Sequence, residues 1–67
     1  MKKYIFKVQT DIKKKQHLLY NENQTIWSEF PFDDVLFRLV GMKGFVEGYI
    51  NDRGQLVVLK KVENKGW

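Results

Sequence analysis

Phe45-Val46-Glu47-Gly48-Tyr49-Ile50-Asn51-Asp52-Arg53-Gly54-Gln55-Leu56-Val57-Val58-Leu59-Lys60-Lys61-Val62 is the stretch that decides the fold. Its halves, Phe45 to Asn51 and Gln55 to Val62, are rich in β-branched and aromatic residues and read as strands. Asp52-Arg53-Gly54 between them is a hairpin loop with glycine at the left-handed position. In that register Asn51 pairs with Gln55, Ile50 with Leu56, Tyr49 with Val57, Gly48 with Val58 and Glu47 with Leu59. One face carries Val46, Gly48, Ile50, Leu56, Val58 and Val62, and Gly48 leaves room for a helix. The other face carries Phe45, Glu47, Tyr49, Val57, Leu59 and Lys61. Both are substantially apolar.

Working back from the hairpin, Pro31 ends a strand and opens a helix, since its missing N–H costs nothing at the first helical position. Asp33 and Asp34 then fall in the first turn, where the helix dipole favours negative charge. Phe32, Val35, Leu36, Leu39 and Val40 follow the helical spacing and form the expected core stripe, with Phe37 off it. Gly41 or Gly44 ends the helix, giving it roughly nine to twelve residues. Further upstream, residues 3–11 alternate, with Tyr4, Phe6 and Val8 on one face and Lys3, Lys7 and Gln9 on the other. The charged turn Lys13-Lys14-Lys15 separates them from His17 to Tyr20; the two segments are two strands or one long bent strand. Asn21-Glu22-Asn23 is a polar turn. Gln24 to Phe30 is a further strand, with Trp27 pointing opposite to Ile26 and Phe30.

The expected fold is α+β: a small antiparallel sheet of four or five strands, in the order β-β-(β)-α-β-β, with one short helix packed on one face. It forms a single domain over 1–67, with 65–67 as a loose tail. A small OB-like barrel has the same element order. Strands that bend into barrels commonly use glycine or bulges, and no glycine precedes position 41, so the open sheet is preferred.

A chain of 67 residues buries only ~60% of its unfolded surface. Disulfides or a metal often compensate at this size. With no cysteine and one histidine, His17, neither is expected, because zinc takes three or four protein ligands. Two Trp, three Tyr and five Phe supply the core instead. The run after Met1-Lys2-Lys3 is only Tyr4-Ile5-Phe6, too short for a secretory signal, which needs roughly 7–15 apolar residues. No run approaches the roughly 18 residues of a membrane span. A cytoplasmic protein without a membrane partner is expected.

Catalytic chemistry is not assembled in the sequence. Ser28, the sole serine, has no histidine beside it and reads as a strand-end residue. Asp33-Asp34 has no further acidic residues around it to hold a cation. Gly41-Met42-Lys43-Gly44 lacks the phosphate-loop spacings. The expectation is a protein that is not an enzyme, with no catalytic residues, no metal and no cofactor.

Binding is the remaining class. One short helix covers one sheet face, so the apolar residues of the second face must meet another molecule or be tolerated singly. Trp27, Phe37, Tyr49, Val57 and Leu59 are the expected contacts, with Lys43, Arg53 and Lys61 as rim charges. The net charge of +4 favours an acidic partner surface. A protein target or a second copy of the chain fits. In length, lysine content and lack of cysteine, the chain resembles small accessory proteins of phages and other mobile elements, which implies inhibition or regulation of a target. The alternative is a single-stranded RNA or DNA binder using Lys13, Lys14, Lys15, Tyr20 and Trp27. Against it, the lysines and aromatics of the first strand fall on opposite faces.

Overall fold

In the computed structural model, which describes residues 2–66, the alternating segments become five strands. Met1 and Trp67, at the start of the chain and the end of the expected tail, lie outside the described residues. The elements are β1 (Tyr4–Asp11), β2 (Gln16–Tyr20), β3 (Ile26–Pro31), α1 (Asp34–Val40), β4 (Lys43–Ile50) and β5 (Leu56–Val62). The first two segments are thus separate strands. They pair antiparallel around the lysine turn, with Lys7 opposite Tyr20 and Gln9 opposite Leu18. The turn is held by the Lys14 N–H, which donates to the Asp11 carboxylate at 3.1 Å.

The sheet order is β3-β2-β1-β4-β5, and every neighbouring pair is antiparallel. This small α+β fold corrects the expected one. Of the four or five strands expected there are five, with β1 at the centre and β4 beside it. The helix, inserted between β3 and β4, covers only part of one sheet face. With seven residues it is about 10 Å long, against roughly 19 Å for the width of five strands. It meets the sheet chiefly along β4.

Pro31 is the last residue of β3 and does not open the helix; Asp33 is the N-cap. The Asp33 carboxylate accepts from the Val35 N–H at 2.8 Å and the Leu36 N–H at 3.3 Å, which satisfies two of the donors a helix start leaves open. Gly41 ends the helix with φ +68°, a conformation that costs glycine little. Gly44 is what lets the helix end approach β4: a Cβ there would lie 2.8 Å from the Val40 Cβ. Gly48, expected to do this, faces something else. A Cβ on it would run into the Val57 carbonyl of β5.

The core joins Phe6 and Val8 of β1, Leu19 of β2, Val46 of β4, and Leu36 and Val40 of α1. The expected five-residue helix stripe is halved. Leu36 and Val40 are buried, whereas Val35 is 76% exposed and Phe32 and Leu39 are exposed. Phe37 is half-buried and packs on Phe32, with ring centroids 5.5 Å apart.

Two bulges reset the outer strands. Between β2 and β3, Leu19 pairs with Ser28 and Tyr20 with Ile26, so Trp27 is the inserted residue. Between β4 and β5, Glu47 pairs with Lys60 and Gly48 with Val58, so Leu59 is inserted. The expected hairpin register holds from Asn51 through Gly48 and slips by one residue after that. Bulges bend a strand and raise its twist. The sheet curls so that β3 and β5, its two edges, border one groove of about 710 Å³ lined by Phe30 and Pro31 on one side and Leu56, Val57 and Val58 on the other. The curl is achieved without glycine in the first three strands.

Candidate functional site

His17, the residue with most chemical potential, is fully buried in β2. The Asp33 N–H donates to its Nε2 at 2.9 Å. A backbone N–H can only donate, so Nε2 is the bare nitrogen and Nδ1 carries the proton. Nδ1–H donates to Thr10 Oγ1 at 3.0 Å, and the Thr10 hydroxyl donates to the Gly41 carbonyl at 3.0 Å. The Asp33 carbonyl oxygen lies 3.3 Å from Nε2, a longer contact to the same peptide segment. Phe32 stacks on the imidazole at 5.3 Å with a 17° tilt. The chain of bonds ties both ends of α1, Asp33 and Gly41, to the two strands beneath. This is a structural fastening, and both ring nitrogens are used in it. Ser28 sits opposite Leu19 within β3. Among the described residues, no group of three or more His, Cys, Asp or Glu side chains could hold a metal ion. No helix among them is long and apolar enough to cross a membrane.

The other face of the sheet, which α1 does not cover, can be laid out row by row from the pairing. Tyr49 is beside Val57 in one row. The next row runs Lys60, Glu47, Ile5. The third runs Val62, Phe45, Lys7, Tyr20, Ile26 across all five strands. The fourth runs Lys43, Gln9, Leu18, Glu29. Phe45 at the centre is only 2% exposed although no helix lies over it. Its cross-strand neighbours are Val62 and Lys7, and the Lys7 ammonium lies 4.9 Å from the Tyr20 ring centroid. The lysine stem therefore runs along the apolar row while its charge meets the aromatic face. Ile5, Leu18, Tyr20, Tyr49, Val57 and Val62 around this centre are half-exposed.

Of the expected contact residues, Tyr49, Val57 and Lys43 fall on this outer face. Trp27 does not. As a bulge residue it turns onto the core side, with its ring 5.0 Å from Tyr4 and 5.1 Å from Phe6. Phe37 is on α1 against Phe32. Leu59 is the inserted residue of the second bulge, Lys61 is opposite Val46, on the core-side row, and Arg53 is exposed at the hairpin tip. The slip at Leu59 exchanges Lys61 for Lys60 and brings Val62 onto the outer face. Ile5, Leu18 and Val62 are the members that sequence reading missed. The alternation of β2 points to Leu18, while Val62 needs the bulge.

The alternative residues do not converge either. Lys13, Lys14 and Lys15 form the exposed turn at one end of β2, Tyr20 is at its other end on the outer face, and Trp27 is on the core side. Lys7 and Tyr20 do share a face, through neighbouring strands, which removes the objection drawn from β1 alone. Yet the lysine occupies the ring that a base would stack on.

The chain matches no protein-family model, no curated protein and no solved structure.

Proposed function

We propose that this chain is a non-catalytic, cytoplasmic binding protein that engages a protein target stoichiometrically through the outer face of its sheet, and thereby inhibits or regulates it. The observation that carries the reading is the make-up of that face. Half-exposed Ile5, Leu18, Tyr20, Tyr49, Val57 and Val62 share one sheet face around buried Phe45, with Lys7, Glu47 and Lys60 set among them. A face that mixes aromatic and aliphatic residues with charges of both signs is of the kind that binds proteins. Its charges are mixed: Lys7, Lys43 and Lys60 against Glu29 and Glu47. A phosphate-tracking surface would be one-signed, so the charge pattern supports a protein partner over a nucleic acid.

Tyr49 is the expected anchor, with Lys43 and Lys60 steering encounter. The test is affinity capture from lysate with and without nuclease treatment, comparing the tagged chain with its Tyr49→Ala variant. The expected result is a protein retained by the first and lost by the second, with a cost above ~1 kcal/mol in affinity and no change in thermal stability. Recovery of nucleic acid alone, with affinity falling steeply in salt, would refute the reading.

A further inference from the structure

The helix leaves a second apolar surface uncovered, on the opposite side of the molecule from the outer sheet face. Val35 is 76% exposed and Leu39 37%, one turn apart on the same side of α1, with Phe32 and Met42 exposed before and after them. Leu36 and Val40 face inward. At 100° per residue the ridge of Val35 and Leu39 has Asp34 and Arg38 along one flank and the buried side along the other. We infer that this ridge is the seam of a homodimer in which α1 packs antiparallel against α1 of a second copy. The inference goes beyond the proposed target-binding face and does not depend on it.

Charge complementarity commits the surface to this occupant. In an antiparallel two-fold pair, the same flank of each helix meets itself with the residue order reversed. Asp34 of one copy then lies opposite Arg38 of the other, and the reverse contact repeats it, while Val35 packs against Leu39 across the axis. An isologous interface requires a self-complementary patch of this kind. Parallel packing would bring the charged flank of each helix against the buried side of the other, leaving Asp34 and Arg38 without partners across the seam. The antiparallel pair also sets the two helix dipoles head to tail. A domain of 67 residues without cysteine is in the size range where oligomerisation supplies missing stability.

The test is sedimentation equilibrium on the full chain. The wild type should approach twice the chain mass as concentration rises. Val35→Glu, at a position too exposed to matter for folding, should raise the dissociation constant at least about tenfold. Asp34→Arg and Arg38→Asp should each be monomeric alone, since each sets like charges face to face. Mixed in equal amounts they should associate, because the mixture restores two opposite-charge pairs that exist only between chains. Circular dichroism checks that each variant is folded. A wild type that stays at single-chain mass to millimolar concentration overturns the inference. So does unchanged dimerisation of Val35→Glu, or a mixture that remains monomeric. Tyr49→Ala serves as the separating control: it should lose the captured protein and keep the dimer, and Val35→Glu should do the opposite.

Discussion

Replacing Thr10 by Val removes one oxygen and leaves the shape of the side chain intact. Thr10 is 5% exposed, and its hydroxyl links His17 Nδ1 to the Gly41 carbonyl, at 3.0 Å on each side. The substitution strands a buried imidazole N–H, which costs roughly 1–3 kcal/mol, and takes a donor from the Gly41 carbonyl. A methyl in place of the hydroxyl returns at most about 0.8 kcal/mol. The expected net loss is about 2 kcal/mol, from a total near ~3–10 kcal/mol for a domain of this length. In melting temperature that is a fall of about 8–16 °C. Urea unfolding followed by far-ultraviolet circular dichroism reads it directly. Thr10→Ser is the control, because it keeps both hydrogen bonds and loses only a buried methyl, worth about 1 kcal/mol. The Ser variant should therefore be the more stable of the two. A Val variant equal to or better than the Ser variant would mean that the methyl matters and the hydroxyl relay does not, and the fastening of α1 through His17 would be wrong.

Asp33→Ala removes the carboxylate that caps Val35 and Leu36 but keeps the backbone N–H that bonds His17, so it should cost about 1 kcal/mol by the same unfolding assay. Gly44→Ala places a methyl 2.8 Å from the Val40 Cβ; a loss of about 1–3 kcal/mol is expected as α1 is pushed from β4. Gly48→Ala drives a methyl into the Val57 carbonyl, and a loss of about 3 kcal/mol or more should follow, with hydrogen exchange showing β5 opening first. Trp27 is 43% exposed but sets its ring against Tyr4 and Phe6, so Trp27→Ala should destabilise by roughly 1–2 kcal/mol through the lost aromatic contacts; unchanged stability would mean that those contacts hold nothing.

The parts of the fold that were legible in the sequence are those governed by local rules. The Asp52-Arg53-Gly54 loop forms as read: Gly54 has φ +76°, and the Asn51 side chain accepts from the Arg53 and Gln55 N–H groups at 2.9 Å each. The alternation of Tyr4, Phe6 and Val8 placed β1 correctly because a strand paired on both sides has no freedom to slip. The helix was found but turned wrongly, since its apolar residues span both sides and only contact with Gly44 and His17 decides which side is buried. Neither contact has a local signature.

The edge strands defeated the alternation rule for a single reason. Period-two reading assumes that every residue is paired, and one inserted residue exchanges the faces beyond it. Trp27 and Leu59 are such insertions, one in each edge strand. Only an edge strand can take an extra residue cheaply, since its free side has no partner to misalign. The same two insertions bend and twist the edges of the sheet, spoiling them as templates for another strand. They also turn Trp27 onto Tyr4 and Phe6 and bring Val62 beside Phe45. The outer face therefore owes its composition to the bulge in β5, and the core owes its largest aromatic contact to the bulge in β3. Deleting Leu59 removes the bulge but keeps the pairs beyond it, so Lys60 stays opposite Glu47 and Val62 stays beside Phe45. The expected outcome is a folded chain whose outer face still retains the target, read by unfolding and capture together. Loss of the target by a folded deletion variant would show that the bend at the bulge, and not only the residues it brings onto the face, is needed for binding.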